Sequence, residues 1–106
     1  MVAREIIEAL RKFRAALEAE GIRVDKIILY GSQAAGKFRA ESDIDVAVVS
    51  RDFGKDRFEE GVKLFQIAAQ VDTRIEPVPV SPQSLEHDTW VPLIYEIREK
   101  GMEIQF

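Results

Sequence analysis

Apolar positions recur along this chain with two periods, and each change of period marks an element. From Ala3 to Glu20, Ile6, Ile7, Leu10, Phe13 and Leu17 share one helical face, and Gly21 follows as a C-terminal stop, so the spacing predicts a first helix. Val24 to Tyr30 reads as a strand, and Ser32 in the turn beyond it can cap a helix of one to two turns through Lys37. Ser42 to Ser50 is a second strand, apolar on both faces from Val46 to Val49 and therefore buried. Arg51 to Lys55, containing Gly54, is a loop. Phe58, Val62, Phe65 and Ala69 then recur at helical spacing and predict a second long helix from about Arg57 to Gln70, which should pack on the sheet.

Val71 to Val80 reads as a third strand, with Asp72, Arg74 and Glu76 alternating on one face. Pro77 and Pro79 cannot donate to a ladder, so its second half belongs at an edge or outside the sheet. Ser81-Pro82 opens the last segment. Pro92 occupies the first turn of a final helix through Lys100, with Leu93, Ile94 and Ile97 inward and Gly101 as its stop, and Met102 to Phe106 suits a short terminal strand. The expected fold is α/β (α+β), a small mixed sheet with helices packed on one face and an acidic site on the other.

A chain of 106 residues without repeats or a domain-scale linker is expected to form one domain, residues 1–106, with little surface left to enclose a second large substrate. Its net charge of −4 argues against a broad basic footprint for duplex nucleic acid. The absence of cysteine removes disulfide frameworks, thiolate zinc sites and redox chemistry, leaving oxygen as the ligand type for any metal. No apolar run is long enough to span a bilayer, and the opening amphipathic helix contains acids rather than a signal-peptide core; a cytoplasmic location without membrane contact is expected.

The densest chemistry lies in residues 31 to 45, GSQAAGKFRAESDID. A Gly-Ser turn after an apolar strand can present backbone N–H groups to phosphate, because glycine permits close backbone approach. Asp43 and Asp45, at alternate positions of a strand, project from one face while Ile44 and Val46 point away. Two adjacent carboxylates repel unless something positive lies between them, and hard divalent cations bound through oxygen resolve that repulsion; magnesium in particular takes one or two carboxylates plus substrate phosphates. As plain solvent-facing or capping acids, the pair would have no reason to lead into four buried apolar residues.

Gly31-Ser32, ten intervening residues and Asp43-Ile44-Asp45 resemble the signature of the DNA polymerase beta-like nucleotidyltransferase superfamily, most closely its minimal, antitoxin-type nucleotidyltransferases. Gly36 and Ser42 also match positions where that family often carries glycine and serine. The resemblance implies a palm-like core in which Gly31, Ser32, Gly36 and Lys37 hold a nucleoside triphosphate, while Asp43, Asp45 and a third carboxylate bind two magnesium ions. The third is Glu76, although many members carry Asp there; Asp72 is the alternative, depending on strand register. The implied reaction moves a nucleoside monophosphate, AMP from ATP, to a hydroxyl acceptor. That acceptor could be a tyrosine on a helical toxin partner, and either such a partner or a second copy of this chain would complete the site. A chain that keeps the motif but only binds nucleotide and masks its partner is the other reading.

Other residues have plainer explanations. Gly36 could equally be a packing glycine, and Lys37 and Arg39 could steady a triphosphate or simply be solvated. Arg74 can screen the acids. The lone His87 makes no zinc site, Trp90 and Tyr95 suit packing or an interface, and Tyr30 is the buried end of its strand.

Overall fold

The computed structural model describes residues 2–36 and 42–106. Its elements run α1 (Arg4–Ala19), β1 (Lys26–Tyr30), β2 (Ile44–Val49), α2 (Arg57–Val71), β3 (Ile75–Val80), α3 (Pro82–His87), α4 (Pro92–Lys100) and β4 (Met102–Glu103). The strands form one mixed sheet in the order β3-β2-β1-β4, antiparallel except for the parallel β2–β3 pair. Among the described residues, no helix is long and apolar enough to cross a membrane.

Strand alternation sends side chains to two separate cores. Ile27, Leu29, Ile44, Val46, Val48 and Ile75 face α1 and α2, where Leu10, Phe13, Leu17 and Leu64 are fully buried. Ile28, Tyr30, Ala47, Val49 and Val80 face the other way, against Ile94 and Ile97 of α4. The two long helices thus cover one face as expected, while α4 departs from that arrangement and covers half of the acidic face. Its junction to β4 is tight: a Cβ on Gly101 would lie 2.2 Å from the Ile97 carbonyl oxygen and 2.5 Å from Ile28 Cγ2.

The prolines of β3 sit where the ladder does not need them. Ile44 N–H donates to the Arg74 carbonyl at 2.8 Å and Ser50 N–H to that of Val80 at 3.1 Å, so the even-numbered residues of this stretch turn their backbone groups toward β2. Pro77 and Pro79 face outward at the sheet edge, where a missing N–H also blunts pairing with another strand.

Four expectations are corrected. The third strand begins at Ile75 rather than Val71, because α2 runs through Val71 and Asp72 is its C-cap. Residues 31–36 form turns and no regular helix; Ala35 N–H reaches the Gly31 carbonyl at 3.3 Å, but Gly36 has φ +80° and leaves helical geometry. Lys37, the expected end of that helix, and Arg39 lie outside the described residues. A helix over Pro82–His87 was not expected, yet Ser81 caps it by accepting from Ser84 N–H at 3.1 Å and Pro82 occupies its first turn.

The fourth correction concerns α2. The stripe that marks it in the sequence faces outward: Phe58 is 76% and Phe65 57% exposed, with Val62 and Ala69 exposed too. Leu64, Ile67 and Ala68 pack inward instead. The helix carries two apolar stripes, and periodicity cannot tell which one the sheet and α1 will cover.

Candidate active site

The antiparallel register sets Tyr30, the last residue of β1, opposite Asp45, and the parallel register sets Glu76 on the other side of Asp45. Three neighbouring strands thus place Tyr30, Asp45 and Glu76 in one row on the face shared with α4. Asp43, exposed and just before β2, stands one alternation away from Asp45. The chain then returns to this row through the Gly31 turn. Gly31 has φ +75°, and a Cβ there would lie 2.6 Å from Asp45 Oδ2, so only glycine lets the turn and the carboxylate meet. Ser32 is exposed beside it.

The electrostatics follow from this crowding. Burial first, and then the charges of Asp43, Glu76 and Glu96, hold the Asp45 carboxyl above its ordinary range. Burial, reinforced by Asp45, Glu96 and Glu76, pushes the Tyr30 phenol up to about 12, so it stays protonated at neutral pH and forms a floor rather than a nucleophile. Glu96, half-buried on α4 between Ile94 and Ile97, is a fourth carboxylate at the site.

Asp72 is engaged elsewhere. Arg74 donates to it from the backbone at 2.9 Å, from Nε at 3.1 Å and from Nη2 at 2.7 Å, which holds its carboxyl below the ordinary range. Asp72 is not among the charges acting on Asp45 or Tyr30. Of the two candidates for a third acid, Glu76 is the one in register with Asp45.

Among the described residues, no three acids or histidines converge into a ready-made metal cage. Magnesium keeps several waters and borrows phosphate oxygens rather than requiring an all-protein cage. An oxygen-only donor set, in which Asp45 is held above its ordinary range first by burial and then by neighbouring carboxylates, fits such an ion; Asp43, Asp45 and Glu76 are the residues that could hold it. Gly36 has no neighbour within 4 Å of a Cβ, so its positive φ rather than close packing explains the glycine.

A cavity of about 810 Å³ opens at the far end of the same face, over Ile28, Val49, Leu85 and Ile97. Much of its charged rim is paired: Arg51 with Asp25 at 2.9 Å and Lys26 with Glu103 at 4.0 Å, while Arg98 donates to the Glu86 main-chain carbonyl at 2.8 Å. Among the described residues, Asp43, Asp45 and Glu76 form no ion pair, which makes their end of the face the candidate site. His87 ends α3, and Trp90 and Tyr95 are exposed at 80% and 52%.

The nucleotidyltransferase domain model matches residues 10–103, a span that contains the turn and the strand acids. The chain belongs to the nucleotidyltransferase domain family. A candidate protein adenylyltransferase of Methanocaldococcus jannaschii is 27% identical over 101 residues, covering 94% of this chain and 99% of the relative. A crystal structure of a toxin-antitoxin with AMP-PNP superposes with a TM-score of 0.57 at 26% identity, over 88% of this chain and 69% of that one. A candidate nucleotidyltransferase of Sulfolobus solfataricus shares the fold, with a TM-score of 0.65 at 9% identity over 93% of this chain and 78% of that one.

Sequence reasoning named Asp43, Asp45, Glu76, Gly31 and Ser32, and the fold brings these together. It missed Glu96, whose only sequence signal is its place between two inward isoleucines, and it gave Tyr30 no part in the site. It also passed over Gln33, which no pattern distinguishes.

Proposed function

We propose that this nucleotidyltransferase domain transfers AMP from ATP to a hydroxyl on a protein acceptor, a tyrosine of a helical toxin partner, and so acts as the antitoxin of the pair. The observation that carries the reading is the register of Asp45 beside Glu76, with Gly31 packed directly on Asp45. It brings the Gly31-Ser32 turn and the strand acids to one corner. The adenylyltransferase name of the archaeal relative and the AMP-PNP of the toxin-antitoxin structure support the nucleotide and the kind of partner. Exposed Phe58, Val62 and Phe65 on α2 are surface of the kind a partner covers.

In this mechanism Gly31 and Ser32 hold the phosphates with backbone N–H groups, and Asp43 and Asp45 would hold the cation that accompanies the triphosphate. The acceptor oxygen attacks the α-phosphorus in line, its proton passes to Glu76 or Asp45, and the bond to the bridging oxygen breaks to release pyrophosphate. Two magnesium ions, when bound, would neutralise charge on the entering and leaving oxygens.

The test is turnover of labelled ATP with magnesium and the partner. Glu76→Gln should lower transfer by orders of magnitude with nucleotide binding retained, and Asp72→Asn should leave it within about twofold. A complex that forms while no triphosphate yields pyrophosphate would replace transfer with masking.

A further inference from the structure

Gln33 is a polar residue with only 4% of its surface exposed. Its Nε2 donates to the main-chain carbonyl of Asp43 at 3.3 Å, bridging ten residues of sequence. Among the described residues, no donor reaches its buried Oε1. Exchanging the two ends of the amide would set oxygen against the Asp43 carbonyl and leave an amino group orphaned, so this orientation is the better one. Packing alone does not explain the residue, because methionine would fill the same space without desolvating an unpaired oxygen.

We propose that Gln33 is a positioning residue for the nucleotide: its amide group ties the Gly31-Ser32 turn to Asp43, and its side-chain carbonyl accepts from a water on the magnesium ion that accompanies the triphosphate. The inference rests on the nucleotidyltransferase reading above. Ionised phosphate oxygens only accept, so they cannot satisfy Oε1, whereas hydrated magnesium retains waters that donate. The donor reaches Oε1 only when the turn shifts, and Gly31 (φ +75°) and Gly36 (φ +80°) bracket Gln33 as two pivots suited to that movement.

The experiment measures ATP affinity calorimetrically, with magnesium and with EDTA, for the parent protein and Gln33→Met, alongside nucleotide-free melting temperatures. Gln33→Leu replaces the variant if methionine is not tolerated. Gln33→Met should melt at or above the parent, and the factor by which magnesium tightens ATP binding should fall about tenfold, the scale of one hydrogen bond to a charged group. Affinity in EDTA should fall by a smaller factor than affinity with magnesium, because only the lost tie between the turn and Asp43 acts there. An unchanged magnesium factor overturns the inference, whether overall affinity is kept or falls equally in both conditions; an equal fall would make Gln33 a brace and nothing more. A parent protein that binds no triphosphate overturns the phosphate-seat reading itself, and this inference with it.

Discussion

Replacing Gly31 with alanine separates backbone strain from collision with the site. An alanine held at φ +75° costs roughly 1–2 kcal/mol relative to glycine. At about 2.1 cal/mol/K of unfolding entropy per residue, that lowers the melting temperature of a 106-residue chain by about 4–9 °C. The new Cβ also arrives 2.6 Å from Asp45 Oδ2, so the oxygen must retreat by about 0.8 Å to reach ordinary contact near 3.4 Å. A side-chain rotation absorbs that displacement at small cost in stability. Displacing a reacting group by about 1 Å can nonetheless slow chemistry on the order of a hundredfold. Gly21 is the matched control, since its φ is +84° and nothing lies within 4 Å of a Cβ there. Gly21→Ala should therefore lose similar melting temperature and keep full transfer, whereas Gly31→Ala should lose transfer about a hundredfold. Differential scanning calorimetry and initial rates of labelled AMP transfer supply both numbers. If the two variants keep equal rates, the contact between the turn and Asp45 is not part of the site.

Asp45→Asn should stabilise the metal-free protein at neutral pH while abolishing transfer. Because Asp45's folded-state pKa is raised, its ionisation opposes folding: the penalty is absent in acid, grows as pH rises through the titration, and is complete above the folded value. Melting curves in EDTA from pH 3 to pH 8 should therefore converge at the acid end and separate at neutral pH, with the variant higher; parallel curves would mean that neither burial nor the neighbouring acids oppose ionisation of Asp45. On α2, Leu64→Ala should cost about 2–5 kcal/mol in urea unfolding because Leu64 is fully buried, while Phe65→Ala should stay within about 0.5 kcal/mol. Equal costs would place the outward stripe in the core after all.

Much of this protein is legible along the chain because the deciding forces are local. Period 3.6 and period 2 marked both long helices and the strands, glycine and proline punctuated them, and ten residues between Gly31-Ser32 and Asp43-Ile44-Asp45 carried the resemblance to the nucleotidyltransferases. Strand alternation alone put Asp43 and Asp45 on one side. Only the tertiary structure decided which of α2's two apolar stripes is covered, since a helix carrying both has no internal preference between them. It also set Glu76, and not Asp72, in register with Asp45, because α2 runs on through Val71, the strand starts only at Ile75 and Asp72 is held by Arg74. Glu96 and Gln33 reach the site from α4 and the turn through packing and a hydrogen bond to Asp43. Contacts between residues so far apart in the chain exist only once the sheet has set its register, so no reading of neighbours along the sequence contains them.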